Sequence, residues 1–445
     1  MVIKLFDRHS IFVCVCLLAA AIAVSMALNI ENRKGGAISA VSSQAAPSAF
    51  QPNIGTASAE AQSIPEPDTA PAAASVPTEE VKAPANEMRA VWVPYMSLDM
   101  SKSDDKSEAA FQKKFDAIVS GAKNCGMNTL IVQVRPFGDA LYKSAYYPWS
   151  HVVGGTQGVN PGYDPLAVMA ASAHKAGMKL HAWVNPLRIQ TSATPSILAQ
   201  GNYYNTWKSD PSKAGWTVDC PNGKYYNPAY PQVRRLIADG AKEIAKNYDV
   251  DGIQFDDYFY PTQDASFDKS AYDAYCAGAS KSGTPVGLLE WRQGNINALV
   301  SLVYSEIKTV KPNLPFGIAP QGNVQNDKNM GADVVSWCSA RGYVDYICPQ
   351  LYVNFENPVL PFDTAAQSWR KMVVNTNVKL YLGLAVYKSG SDADSGTWKK
   401  SNNILARQVE TGRKASCDGF MFYSWDYLNT DQTKEEVQNV MKMLK

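Results

Sequence analysis

The chain of 445 residues carries a net charge of +1 and no basic run with interleaved aromatics, which argues against a nucleic-acid partner. Its length allows two or three domains. Ten Trp and 23 Tyr are many, and flat rings of this kind either fill cores or grip sugar faces.

Lys4, Arg8 and His9 precede an apolar run of 18 residues from Ile11 to Leu28, with small residues at Ser25 and Ala27. That pattern predicts a signal peptide or signal-anchor helix over residues 1–34. Either form places the rest of the chain outside the cytoplasm, secreted to the cell envelope or tethered to the membrane through its N-terminal segment. Residues 35–86 are rich in Ala, Ser, Pro and Gln and bury too little apolar surface to offset ordering entropy, so a disordered linker is predicted there. Six cysteines follow, from Cys125 to Cys417, with no CxxC pair to suggest structural zinc. In an oxidising compartment Cys220 and Cys276, both in long loops, are the favoured disulfide pair.

From residue 87 onward strand-like runs alternate with helical ones. Strands are predicted at 88–93, 129–134, 179–184, 252–256, 316–319, 345–351, 379–386 and 419–425. Helices are predicted at 107–124, 165–177, 231–247, 290–310, 332–340, 364–374, 404–415 and 434–444. Asp164-Pro165 supplies both an N-cap and a first-turn proline. Eight strand–helix units predict a closed (β/α)8 TIM barrel over residues 87–445, read as a monomer. An open doubly wound sheet is the alternative, but no GxGxxG follows the first strand.

Residues 251–261, Asp-Gly-Ile-Gln-Phe-Asp-Asp-Tyr-Phe-Tyr-Pro, are the centre of the reading. Ile253 and Phe255 alternate with Gln254 and Asp256, so the polar pair shares one face of the fourth strand and Asp257 lies just beyond it. In a barrel, functional groups gather at the C-terminal ends of the strands. Parity predicts inward-facing Gln133 and Arg135 on strand two, and His181, Trp183 and Asn185 on strand three. It gives Gln321 on strand five, Gln350 and Tyr352 on strand six, and Tyr387 on strand seven. Strand eight contributes Tyr423 and Trp425, followed by Asp426. Two long connections, residues 186–231 and 257–289, carry many aromatics and are placed to wall a groove at the same end. Tyr258 and Arg188 belong to these connections.

Two carboxylates at an aromatic-lined mouth suit glycosidic bond hydrolysis, in which one acid protonates the leaving oxygen and a second group stabilises or attacks the sugar cation. Adjacent Asp side chains repel as anions, so one keeps a proton near neutrality, as an acid catalyst must. With four His, no HxH, no HExxH and no GxSxG, neither a metal site nor a serine nucleophile is suggested, and no cofactor is implied.

Several motifs carry a resemblance. Arg-Ala-Val-Trp-Val at 89–93 and Gly-Met-Asn-Thr-Leu-Ile-Val-Gln-Val-Arg-Pro-Phe-Gly-Asp-Ala-Leu-Tyr at 126–142 resemble the glycosyl hydrolase-like 10 family. So do Pro-Trp-Ser at 148–150, Asp-Pro-Leu at 164–166, His174-Lys175 and His-Ala-Trp-Val-Asn-Pro-Leu-Arg at 181–188. The fourth-strand segment and Asp-Tyr-Ile-Cys-Pro-Gln-Leu-Tyr at 345–352 complete the match. The resemblance implies a bacterial envelope barrel acting on glycan strands of peptidoglycan.

The fourth strand also resembles chitinase-type barrels, but Gln254 and Tyr258 replace two of their acids. It is similar, too, to N-acetylglucosaminide-cleaving enzymes that work by substrate assistance. That likeness implies Asp256 as the residue orienting the acetamido group and Asp257 as the proton donor. A likeness to α-amylase-type barrels implies Asp256 as a nucleophile instead, with no Glu at the end of strand five to serve as its acid. Gln133, Arg135, Trp183, Asn185, Arg188, Tyr258, Gln321, Gln350, Tyr352, Tyr387, Trp425 and Asp426 are the candidate substrate-binding residues. A catalytically silent glycan-binding barrel, or a hydrolase of another polysaccharide, stays open at this point.

Overall fold

A computed structural model describes residues 83–281 and 283–444. The predicted leader, and the predicted linker as far as residue 82, lie outside the described residues. Among the described residues no helix is long and apolar enough to cross a membrane.

Eight parallel strands close into a barrel. In chain order they are β1 (Met88–Val93), β2 (Thr129–Arg135), β3 (Lys179–Val184), β7 (Gly252–Phe255), β8 (Phe316–Ile318), β9 (Tyr346–Ile347), β10 (Lys379–Ala385) and β11 (Gly419–Tyr423). The intervening β4 (Arg188–Thr191), β5 (Thr217–Cys220) and β6 (Gly223–Tyr226) form a separate antiparallel sheet in the order β4-β6-β5. The helices packed outside include α1 (Glu108–Asn124), α2 (His151–Gly154), α3 (Pro165–Lys175), α4 (Tyr203–Lys208), α5 (Pro231–Asn247) and α6 (Lys269–Ala279). They continue with α7 (Leu288–Val310), α8 (Val324–Asn329), α9 (Val334–Ser339), α10 (Phe362–Met372), α11 (Ile404–Lys414) and α12 (Lys434–Leu444).

Local chemistry sets these boundaries. Ser107 caps α1 through a hydrogen bond from Ala110 N at 3.3 Å, and Gly126 turns the chain out of it at φ +82°. Asp164 caps α3, with Pro165 in the first turn. The barrel strands are buried on both faces and read as nearly continuous apolar runs, as a parallel sheet requires.

Two cores result. The large one lies between the strands' outer faces and the helices. The small one fills the barrel with Ala90, Trp92, Ile131, Trp183, Ala319, Tyr346, Cys348 and Met421. Glycine makes room inside: a Cβ on Gly252 would sit 2.4 Å from the His181 ring, and one on Gly317 would sit 2.2 Å from the Tyr346 ring. His181 is therefore a core residue, its Nδ1 3.1 Å from the Tyr346 hydroxyl, and burial lowers its pKa to about 4.

The connections depart most from expectation. The sequence predicts a long loop over residues 186–231, yet they hold the three-stranded sheet and α4. Their rings pack on one another: Tyr203 on Trp207, Trp207 on Trp216 and Tyr226, and Trp216 on Tyr230, at centroid distances from 4.9 to 6.2 Å. These aromatics are the core of the excursion rather than a groove wall. Cys220 ends β5 and Cys276 lies on α6, and both are free thiols, so the favoured disulfide is not formed.

Candidate active site

β7 ends at Phe255, so Asp256 and Asp257 emerge at the C-terminal mouth of the barrel. Asp256 is 4 % exposed. Its Oδ2 accepts from Trp183 Nε1 at 3.0 Å and from Asn185 Nδ2, and its Oδ1 accepts from Tyr258 N at 3.3 Å. Asn185 is itself held by Gln133, whose Nε2 donates to Asn185 Oδ1 at 2.6 Å while its Oε1 accepts from Tyr95 N at 3.0 Å. A line of amides from the loop after β1, through the ends of β2 and β3, thus fixes one carboxylate.

Asp257 is more open. Its Oδ1 accepts from Gln350 Nε2 at 2.9 Å, and the same amide nitrogen donates to Ala319 O at 2.9 Å. Burial raises the Asp256 pKa to about 7, with the Asp257 charge adding to the shift, while Arg188 and the bond from Trp183 work against it. Burial also raises Asp257, opposed by Gln350 and Arg188. Two adjacent desolvated carboxyls favour holding one proton between them near neutrality.

Tyrosines face the pair from the β9–β11 side. Tyr352 lies 6.0 Å from Tyr387 and 5.7 Å from Tyr423, and Tyr387 lies 6.0 Å from Tyr423. Trp92 closes the floor beneath them, 6.5 Å from Tyr352, with its Nε1 donating to Gln254 Oε1 at 2.9 Å. On the opposite side Arg188 lies between the Phe137 and Tyr258 rings, 5.0 Å from each.

Of the residues expected from strand parity, Gln133, Trp183, Asn185, Asp256, Gln350, Tyr352 and Tyr387 gather here, and Asp257, Arg188 and Tyr258 join them from beyond the strand ends. Gln321 sits at the same end, its backbone N–H donating to Asp327 Oδ1 at 2.9 Å and its backbone bridged to Gln350. Asp426 is on the rim, accepting from Ser97 Oγ at 2.8 Å and tying together the turns after β1 and β11.

Two expected residues lie elsewhere. The β2–β3 register shifts between Gln133 and Arg135, so Arg135 pairs with Val184 and faces out of the barrel. Its guanidinium lies 4.4 Å from the Tyr147 ring, against Gly240 of α5. Trp425 belongs to the 3-10 turn Trp425–Tyr427 beyond the strand, where alternation no longer applies. Its ring packs on α1 so closely that a Cβ on Gly121 would sit 2.3 Å from it.

Residues that parity on the strands does not reach also stand at the mouth or buried behind it. Tyr95, Phe137, Asp139 and His151 come from the connections after β1 and β2, and Asp327 from α8. The Arg-Pro-Phe-Gly-Asp run at 135–139, an acid and a ring just past a strand end, was the available signal. Burial pushes the Asp327 carboxyl well up, and its Oδ2 has no partner among the described residues.

Comparison with known proteins accords with this geometry. Residues 87–399 match the glycosyl hydrolase-like 10 family. The chain belongs to that family. It is 33% identical over 364 residues to glycosyl hydrolase YngK of Bacillus subtilis, covering 77% of this chain and 69% of that one. It is 31% identical over 408 residues to glycosyl hydrolase DigH of Escherichia coli, covering 84% of this chain and 91% of that one. Among solved structures it resembles the catalytic domain of a β-amylase from Paenibacillus polymyxa, with TM-score 0.54 and 12% identity over 82% of this chain and all (100%) of that one. At that identity the likeness speaks to the barrel alone.

Proposed function

We propose that this family member is a glycoside hydrolase that cleaves N-acetyl amino-sugar strands of cell-wall glycan. In this reading Asp257 is the proton donor and Asp256 orients the reacting group. The observation that carries it is the asymmetry of the pair. Asp256 is buried and accepts bonds at both oxygens, as suits a group that must hold a substrate's acetamido nitrogen in one geometry. Asp257 is partly exposed, anchored at one oxygen by Gln350, and shares with Asp256 the one proton that the pair favours keeping near neutrality, as suits an acid that must reach a leaving oxygen.

The tyrosines across the mouth supply flat faces for a sugar ring. When the acetamido oxygen attacks the anomeric carbon, the proton passes from Asp257 to the departing oxygen, and the regenerated carboxylate later deprotonates the incoming water. The same reading has the chain exported, tethered to the membrane or secreted to the envelope, and monomeric.

The test incubates the purified protein with peptidoglycan glycan strands beside Asp256→Asn and Asp257→Asn, with new reducing ends read by mass spectrometry. Cleavage by wild type, reduced by about 10²–10⁴-fold in both variants, supports the reading. Cleavage that survives in both moves the chemistry away from the pair. Retained glycan binding without cleavage by any protein makes the barrel a binding module or a hydrolase of another polysaccharide.

A further inference from the structure

The wall that carries Arg188 has a chemistry that the acid–base reading leaves unused. Phe137 is 1 % exposed. Three partly exposed side chains cover it: Tyr95 with ring centroids 5.1 Å apart, His151 at 5.6 Å, and the Arg188 guanidinium 5.0 Å over its face.

Arg188 is held rather than free to swing. Its Nε donates to Pro136 O at 2.9 Å, and Tyr258 lies 5.0 Å from its guanidinium. Its Nη groups have no hydrogen-bond partner, and it makes no ion pair, among the described residues. Its charge nevertheless reaches the mouth, where it opposes the upward shifts of both Asp256 and Asp257. The carboxylates of Asp256 and Asp257 take their hydrogen bonds from Trp183, Asn185, Tyr258 and Gln350, so the Nη donors of Arg188 stay open to a ligand.

His151 adds to the same wall. Its Nδ1 is 3.4 Å from Asp139 Oδ2, and its side chain is 17% exposed while that of Asp139 is fully buried (0%). Gln157 Nε2 gives Asp139 its other bond at 3.0 Å, and Asp139 Oδ1 has no partner among the described residues. The buried carboxylate thus holds the His151 ring in place through Nδ1, on the same wall as Arg188.

We infer that Arg188, with His151 beside it, binds a carboxylate on a sugar next to the cleaved bond. The inference rests on the proposed glycan reading and narrows it to an acidic glycan. A guanidinium offers donors and no acceptor, and its planar fork matches the two oxygens of a carboxylate. Neutral sugar hydroxyls ask for donors and acceptors together. Clamping between two rings removes much of the side-chain entropy that an exposed arginine loses on binding.

The experiment uses an acidic amino-sugar glycan, intact and after chemical reduction of its carboxyls to alcohols. Wild type, Arg188→Gln, Arg188→Lys and His151→Gln are compared by kcat/KM on both. Wild type favours the intact glycan by about tenfold or more, the value of one charged hydrogen bond. Arg188→Gln loses that preference, chiefly through KM. Arg188→Lys keeps part of it, because the charge remains and the fork does not.

Equal rates of wild type on both glycans overturn the inference, as does an Arg188→Gln loss of the same size on both, which makes Arg188 only a charge partner of the carboxyls. Absence of cleavage defeats the hydrolase reading alone. In that case calorimetric titration of wild type and Arg188→Gln with the two glycans decides: tighter binding of the intact glycan that disappears in the variant supports the inference, and equal affinities sink it.

Discussion

Gln350 joins the end of β9 to the acid: its Nε2 lies 2.9 Å from Asp257 Oδ1 and 2.9 Å from Ala319 O. The amide fixes the Asp257 rotamer and favours its ionised form. Replacing Gln350 by Leu removes the donor at similar volume. The Asp257 pKa then rises further, and the carboxyl loses one of its constraints. Activity on glycan should fall by about 10–100-fold, mainly in kcat, as when one preorganising donor is lost. An unchanged kcat places the proton donor elsewhere.

The pair also sets a pH dependence. A working state needs one proton on the pair. Below the lower macroscopic value both carboxyls are protonated, and above the upper one both are ionised. With Asp256 raised to about 7, the alkaline limb of kcat/KM should fall near pH 7. Arg188 opposes both shifts, so Arg188→Gln moves that limb upward. A rate profile flat from pH 6 to about 9 would sink this assignment.

Asp256 further makes a stability prediction. Its folded pKa lies above the 3.8 of an ordinary aspartate, so between about 4 and 7 the native protein holds a proton that the unfolded chain has released. Stability from this group is therefore fully present at low pH and is lost as pH rises to about 7. Asp256→Asn has no proton to lose. At pH 8 it should be more stable than wild type by on the order of 1–4 kcal/mol in urea unfolding, and the gap should narrow towards pH 4. A variant that is less stable at pH 8 argues that the carboxylate is well solvated there.

Much of this site was legible because barrel strands alternate faces and end at one mouth. Gln133, Trp183, Asn185 and Asp256 follow from that rule alone, and the amides do bond one another. Arg135 and Trp425 show its limit. A single register shift turned Arg135 outward, and a strand that ends at Tyr423 leaves Trp425 to a turn. Short-range patterns do not announce a bulge. The sheet within residues 186–231 was missed for a related reason. Its strands are four residues each and are held by pairing with one another, which periodicity over so short a span does not encode. Asp139 and His151 lie in connections, where side-chain direction depends on tertiary contacts.

The loop that carries Asp257 has its own anchor in Arg292 of α7. The guanidinium donates to Asp268 at 2.7 and 3.0 Å and to the carbonyls of Thr262, Gln263 and Asp264, and lies 4.8 Å from the Tyr260 ring. The exposures of the Arg292 and Asp268 side chains are 3% and 0%. Replacing Arg292 by Ala strips Asp268 of its countercharge in a buried place and frees three carbonyls at once. Losing one partner of a buried pair costs about 3–5 kcal/mol, so the unfolding midpoint in urea should drop clearly. Arg292→Leu fills more of the space but leaves Asp268 equally uncompensated, so it should recover little. The double change Arg292→Leu with Asp268→Asn removes the stranded charge and should recover part of the loss. If both single changes prove neutral, the pair is solvated in solution and the loop is held by Phe267 and Tyr260 packing alone.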